Sequence, residues 1–346
     1  MAIKSIELKN FTVFEQVKIP FSSGVNVFIG ENGTGKTHLL KVLYAASDSM
    51  SYTTCDNSID RTYFASSLKS CFGVVSAKEF ATKSASRINK DSLTEFIIES
   101  DNGDCKYSQK NDVDKCSINC NTPFPDKLLS SVPVFIPAKD MLTHARGLLT
   151  MSKRHSQHMP FDKTLLDVVE NSETWKVNTV PKLVQDITPI LEKIMEGVVI
   201  QEDGDFFILK NNGDKISFAS ESEGIKKFGL LWQLLMTDSI KEDGIIFWDE
   251  PEANINPMLI SEIVKILLQL AKSGVQIFIA SHSYFLPQYF EVFSAESDDI
   301  LFHALYKTDD GVQCETSDKF TTLDNNKIVE EKINLYDAEV EKVLNE

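Results

Sequence analysis

Val25-Asn26-Val27-Phe28-Ile29-Gly30-Glu31-Asn32-Gly33-Thr34-Gly35-Lys36-Thr37-His38-Leu39-Leu40 is the stretch that decides how this chain folds. An apolar strand, Val25 to Ile29, runs into Gly30-x-x-x-x-Gly35-Lys36-Thr37, and a helical pattern opens at His38. Strand, glycine loop and helix in that order are what a phosphate-binding P-loop requires. The glycines let successive backbone N–H groups turn toward phosphate oxygens, and the helix adds the positive end of its dipole. Lys36 is placed to reach β- and γ-phosphates, and the Thr37 hydroxyl to ligate Mg²⁺. The phosphate cradle expected here comprises Gly30, Asn32, Gly33, Thr34, Gly35, Lys36, Thr37 and His38.

The complement of such a loop lies far downstream. Gly244-Ile245-Ile246-Phe247-Trp248-Asp249-Glu250 is a fully apolar strand ending in two carboxylates, the shape of a Walker B motif. A central parallel strand is apolar on both faces, and ligands bind at its C-terminal edge. Asp249 is expected in the Mg²⁺ shell, and Glu250 to orient and polarise an attacking water. Another buried strand, Val275 to Ala280, ends at Ser281-His282-Ser283, and a histidine at that edge can donate to a γ-phosphate. Upstream, Ser220-Glu221-Ser222-Glu223-Gly224 opens an apolar helix through Phe228, Leu231, Leu234 and Leu235. A helix start with serines and glycine can bind an anion, though alone it is only a capping motif.

Ile3 to Phe11 and Val13 to Phe21 read as strands feeding the P-loop, with Phe11 or Phe14 available either to stack on adenine or to pack in the core. The tract Ser47 to Thr54 reads as an exposed loop, 61–72 as a helix, and 93–120 as antiparallel hairpins. Val132 to Pro137 is a short buried strand, 138–197 mostly helical, and 198–218 a small meander with turns at Asp203-Gly204 and Asn212-Gly213. A helix follows Pro257, with apolar positions at Ile260, Ile263, Val264, Leu267 and Leu270. Val329, Ile333, Tyr336, Val340 and Val343 recur at intervals of 4, 3, 4 and 3, one amphipathic helix that either docks on its own core or meets a partner.

Acidic residues outnumber basic ones by 51 to 35, a formal charge of -16, which argues against a broad, direct grip on nucleic acid or anionic membrane. The N-terminus carries charges where a signal peptide needs an apolar run, and no 18-residue apolar stretch occurs, so a cytoplasmic protein is expected. Cys55, Cys71, Cys105, Cys116, Cys120 and Cys314 are too sparse for a disulfide scaffold; reduced cysteines are the main reading, with zinc near Cys105, Cys116 and Cys120 as the alternative. His144, His155 and His158, beside Arg146, Lys153 and Arg154, suit a solvated basic face better than a metal site.

The order of these motifs, with Glu7-Leu8-Lys9-Asn10-Phe11, the P-loop and Trp248-Asp249-Glu250-Pro251-Glu252-Ala253-Asn254, resembles the ABC-class ATPases. Within them it is similar to the soluble branch shared by chromosome-maintenance (SMC), RecF-type and OLD-type proteins and many phage-defence ATPases. Asp249 lies 213 residues beyond Lys36 (249 − 36), too far for a transporter subunit. The intervals of 25 (249 − 224) and 32 (282 − 250) fit the class. The resemblance implies that two heads sandwich ATP and Mg²⁺, that each P-loop faces Ser222 and Gly224 of the other head, and that His282 reads the γ-phosphate. Lys36, Glu250 and His282 are then the catalytic set, and Thr37 and Asp249 the metal ligands. Glu221 and Glu223, unusual beside a phosphate site, would repel it unless turned away, and Asn256 stands where many relatives carry Asp or His.

The fold expected is α/β: a P-loop NTPase of ABC-ATPase type, a mixed sheet flanked by helices. Its core is drawn from 1–45 and 196–346, with an inserted antiparallel-β plus helical subdomain at 46–195. The function expected is a Mg-ATP hydrolase whose head dimerisation, as homodimer or higher oligomer, controls a separate effector such as a nuclease in phage defence or DNA maintenance. Only 64 residues (346 − 282) follow His282, too few for the nuclease module of OLD-type proteins. Nucleic acid would be reached indirectly, and no membrane is involved. The rival readings are an ATP-sensing scaffold with little turnover and a DNA-binding repair ATPase.

Overall fold

A computed structural model describes residues 2–51, 61–81, 93–101, 103–110, 116–120, 132–154, 160–174 and 182–345. The alternating N-terminal residues form β1 (Ile3–Phe11) and β2 (Phe14–Pro20), paired antiparallel with Ile6 opposite Ile19 and Leu8 opposite Val17. The P-loop strand β3 (Val25–Gly30) follows, buried along its whole length, and leads into helix α1 (Lys36–Ser51) and then α2 (Arg61–Phe72). The hairpins of 93–120 are β4 (Leu93–Ser100), β5 (Gly103–Lys110) and β6 (Cys116–Cys120). They extend the first sheet in the order β2-β1-β4-β5-β6. The next strand, β7 (Val134–Ile136), joins a different sheet, so 46–195, expected to form an inserted subdomain, supplies strands to both.

The helical stretch resolves into α3 (Leu148–Arg154), α4 (Lys163–Glu173) and α5 (Lys182–Met195), and Asp162 caps α4 by accepting from Thr164 N and Leu165 N. The meander is β8 (Gly197–Glu202), β9 (Asp205–Lys210) and β10 (Lys215–Ser217). Helix α6 (Glu223–Met236) then delivers the chain to β11 (Ile245–Asp249), α7 (Pro257–Lys272), β12 (Gln276–Ser281) and α8 (Phe285–Phe293). Residues 284–328, for which the sequence carried little expectation, also supply β13 (Ile300–Thr308) and β14 (Gly311–Ser317) before the last helix, α9 (Lys327–Asn345).

The central sheet runs β14-β13-β3-β12-β11-β7, all parallel except β14. Its two faces build two cores. Val25, Val27 and Ile29 join Ile246, Trp248, Ile277 and Ile279 against the helices α4 to α7. Phe28, Phe247, Phe278 and Ala280 point the other way, onto α1 and the antiparallel sheet. Burial of each such large side chain is worth roughly 1.5–3 kcal/mol, so the P-loop strand is clamped from both sides.

The tract read as an exposed loop is helical over Ser47–Ser51, and Ser47, Asp48 and Ser49 are buried. Ser47 and Ser49 return their hydroxyls to Leu43 O and Ala45 O, at 2.8 and 2.7 Å. Asp48 accepts from Tyr63 OH and Ser67 Oγ and lies 3.3 Å from Lys163 Nζ, so polar residues are satisfied inside by partners far along the chain. Residues 52–54 and Cys55 lie outside the described residues, as do His155 and His158. His144, Arg146, Lys153 and Arg154 are exposed, and Arg146 pairs with Asp205. Among the described residues no group of three His, Cys, Asp or Glu side chains is placed to hold a metal ion, so the zinc alternative gains no support there.

Docking of the last helix on its own core is the expectation the structure overturns. α9 has no buried residue, and only Ile328 and Val329 pack partly against the core. No helix among the described residues is long and apolar enough to cross a membrane.

Candidate functional site

The P-loop is held open by its neighbours as much as by its own glycines. Register pairs Gly30 with Leu305 of β13, and a Cβ on Gly30 would stand 2.2 Å from the Leu305 carbonyl oxygen. Gly35, at φ +88°, would put a Cβ 2.5 Å from Val13 Cγ2 and 2.8 Å from Phe14 Cζ. Only glycine fits such backbone at such approach. Lys36 is buried and spans the loop, its Nζ donating to Gly30 O at 2.7 Å and Glu31 O at 2.9 Å. Burial pulls its pKa down to about 8, against the opposing pull of Glu250, Asp249, Glu252 and Glu31.

The strand order brings the Walker B end beside this loop. Thr37 Oγ1 donates to both oxygens of Asp249, at 3.1 and 3.0 Å. Burial, with Glu250 nearby, lifts Asp249 to about 6 despite the Thr37 bond. A hydroxyl and a carboxylate in contact at the mouth of a phosphate cradle, the carboxylate uneasy in its own charge, fit a hard divalent cation such as Mg²⁺. His282 Nε2 lies 3.2 Å from Glu250 Oε1. Burial, then Lys36, lowers the His282 pKa; Glu250, Glu252 and a bond to the Gly30 backbone act the other way.

Two residues that sequence reasoning gave no role hold this pair. Glu250 is in the left-handed region, φ +49°, with its N–H on Ala280 O at 2.9 Å. Its carbonyl accepts from Lys227 Nζ at 2.6 Å, and Pro251 O from the same nitrogen at 3.3 Å. Lys227 is buried on α6, the helix that starts at Ser222, and burial pulls its pKa down to about 8. Glu252 Oε1 accepts from Ser281 Oγ, His282 N and Ser283 N, at 2.7, 3.0 and 3.2 Å, which fixes the loop carrying His282. A lysine inside an apolar helix pattern is the signal for the first; the Pro-Glu-Ala-Asn wording is the signal for the second.

Ser222 and Gly224 open α6 and are not among the residues lining the groove at Gly30–Asn32 and His282. Ser222 caps the backbone of α6, its N–H on Glu221 Oε1 and its carbonyl on Lys226 N, and its hydroxyl makes no capping bond. Gly224 lies against Asn254 and Ile255. The carboxylates that would repel phosphate are occupied: Glu221 pairs with Lys210 at 2.9 Å and Glu223 with Lys226 at 2.7 Å. Asn256 caps α7 through Met258 N at 3.1 Å. Asn32 is exposed at the loop tip, its carbonyl accepting from Lys307 Nζ at 3.0 Å. Thr34 Oγ1 turns back to Glu31 O, and the His38 ring lies 5.4 Å from that of Phe72.

Phe11 and Phe14 are fully buried and cannot serve as a base platform. Phe11 stacks on Phe80 at 5.5 Å and meets Phe72 and Phe96 edge-on, so core packing won over exposure. The open ground beside the P-loop is instead a groove of ≈ 1030 Å³, bounded by Gly30–Asn32, His282, Phe285, Lys307 and the first turns of α9.

Residues 1–188 match the family model described as "AAA ATPase domain", and 153–286 that described as "AAA domain, putative AbiEii toxin, Type IV TA system". Over 54 residues the chain is 39% identical to the DNA replication and repair protein RecF of Lactococcus lactis subsp. lactis (strain IL1403) and 44% identical to that of Clostridium novyi (strain NT). Those stretches span 16% of this chain and 15% of each RecF protein. The crystal structure of an SMC head bound to the C-winged helix domain of ScpA superposes with a TM-score of 0.60 at 14% identity, over 92% of this chain and 98% of that one. An Smc head with an extended coiled coil, bound to the C-terminal domain of ScpA derived from Pyrococcus furiosus, gives 0.57 at 12% identity, over 97% and 99%. With 188 of its 346 residues matched by one family model, this chain belongs to the AAA ATPase domain family, and it has the fold of an SMC head.

Proposed function

We propose that the chain binds and hydrolyses ATP with Mg²⁺, and that two copies close around nucleotide with Ser222 and Gly224 of each facing the P-loop of the other. Closing and reopening then drive a separate effector, such as a nuclease, in DNA maintenance or phage defence. The observation that carries this reading is the meeting, at one edge of the central sheet, of Lys36, the Thr37–Asp249 contact and the Glu250–His282 pair. Thr37 and Asp249 would hold the cation, which when bound neutralises phosphate charge. Lys36 exchanges its bonds to Gly30 and Glu31 carbonyls for phosphate oxygens. Glu250, pinned by Lys227, orients the attacking water and takes its proton, and His282, pinned by Glu252, donates toward the γ-phosphate.

The exposed hydroxyl of Ser222, free of any capping bond, supports a role toward a second copy. The RecF relatives are named for DNA replication and repair, and one matched family for a putative toxin, which supports the two settings named. The formal charge of -16 favours reaching nucleic acid through a partner.

Complementation tests the composite site. Lys36→Ala and Ser222→Arg should each lower turnover at least about 100-fold. Coexpressed, they should regain about a quarter of wild-type activity, because half the dimers are mixed and each of those holds one intact site. A fully active Ser222→Arg chain, or no recovery in the mixture, overturns the proposal.

A further inference from the structure

α9 carries Ile333, Tyr336, Val340 and Val343 exposed on one stripe, with 38–71% of each in solvent. Nineteen residues form this helix and none is buried, whereas helices in proteins draw most of their stability from packing. An apolar stripe of this kind marks a contact surface, and Leu335 and Leu344 stand exposed beside it. Its spacing is heptad: Ile333 and Val340 occupy a positions, Val329, Tyr336 and Val343 d positions.

We propose that the stripe is covered by α9 of a second copy of this chain, the two helices pairing in parallel and in register, without nucleotide. The charges choose both occupant and direction. In a parallel pair Lys332 at g faces Asp337 at e of the other copy, twice over, and Glu339 faces Leu344, so no like charges meet. Of the two antiparallel alignments, the one that pairs Ile333 with Val343 and Tyr336 with Val340 sets Asp337 on Asp337 and Glu339 on Glu339, and the one that pairs Val329 with Val340 and Ile333 with Tyr336 sets Glu330 on Asp337 twice, cancelling its Lys332–Glu339 pairs. Lys332 keeps capacity for the contact: its Nζ has three donors, one of them given to Tyr284 OH at 2.5 Å while it sits 3.8 Å from the Tyr284 ring centre.

The helix is also rooted in the right place. Lys327, Lys332 and Leu335 line the same groove as Gly30–Asn32 and His282, so a two-fold pair of α9 helices would hold two P-loop faces near one another. Two heptads alone make a weak contact, and its effect is to raise the local concentration of one head at the other.

The test is sedimentation of nucleotide-free full-length protein at concentrations on the order of 10 µM. A dimer is expected, with Ile333→Glu/Val340→Glu raising the dissociation constant at least tenfold while the near-UV circular dichroism of the core is unchanged, because neither residue belongs to it. Tyr336→Cys should cross-link to itself on mild oxidation. A monomeric wild type, or a dimer that survives the double substitution, overturns the pairing. Cross-linking of Tyr336→Cys only to Val340→Cys overturns the parallel register. The pairing needs no nucleotide, so it stands or falls separately from the composite ATP site.

Discussion

Lys227→Met removes the one side chain that joins the Ser222 helix to the carbonyl of Glu250. The ammonium bonds to Glu250 O at 2.6 Å and Pro251 O at 3.3 Å inside the protein. A hydrogen bond with a charged donor is worth about 1.5–3 kcal/mol. Holding a non-glycine residue at φ +49° costs on the order of 1–3 kcal/mol, so the bond and the strain are nearly balanced. Without Lys227, relaxed backbone at Glu250 competes with the productive one, and two carbonyls lose a donor. A shift of about 1.4–2.8 kcal/mol against the productive geometry lowers kcat roughly 10- to 100-fold. The KM for ATP should stay within about threefold, since no bond of Lys227 reaches the P-loop. Steady-state hydrolysis together with a thermal melt reads both quantities. If kcat stays near wild type while the melting temperature falls, Lys227 supports the fold alone and the positioning argument is wrong; a raised KM with unchanged kcat refutes it equally.

Phe11→Ala should cost about 3–5 kcal/mol of stability, because the ring is wholly enclosed by Phe72, Phe80 and Phe96, and leave the KM for ATP of the folded fraction within about twofold. A large rise in KM with no change in melting would restore the adenine-stacking role. His303 is fully buried between Thr316 Oγ1 and Asn26 Oδ1, and burial lowers its pKa to about 3. Between pH 6.5 and 3 the unfolded chain therefore binds a proton that the folded chain refuses, and stability falls with acidification by on the order of 1 kcal/mol per pH unit. His303→Gln should flatten that acid slope in chemical denaturation; an unchanged slope would mean that His303 protonates in place.

The parts of the fold legible in the sequence were those with local signatures. Val25–Gly30 and Ile245–Asp249, apolar but for Asn26 and the closing Asp249, could be read as central strands, and Thr37 and Asp249 do meet. What escaped depended on partners far along the chain. Ser47–Ser51 reads as a loop because serines and Asp48 look solvated; the serines return to carbonyls one turn back, and Asp48 is accommodated by Tyr63, Ser67 and Lys163. Lys227 is one charge in an apolar helix until the end of β11 supplies carbonyls for it. β13 and β14 alternate apolar and polar residues too loosely to stand out, and the pairing of β13 with β3 and of β14 with β13 is a matter of register. The last helix was correctly periodic, but periodicity says which face is apolar and not what covers it.

The position of β3 has a consequence for the chain while it is being made. β3 is complete at Gly30, yet its two neighbours end at Ser281 and Thr308. At ribosomal speeds of about 5–20 residues per second, the 278 residues from 30 to 308 take roughly 14–56 s to appear. Until Ser281 appears, which is most of that time, a strand buried along its whole length in the finished fold has neither edge paired, the state most exposed to wrong pairing. The antiparallel sheet ends at Cys120 and can form much earlier. Its core residues also contact Phe28 and α1, so it offers the nascent strand a shelter on one face before its own sheet exists.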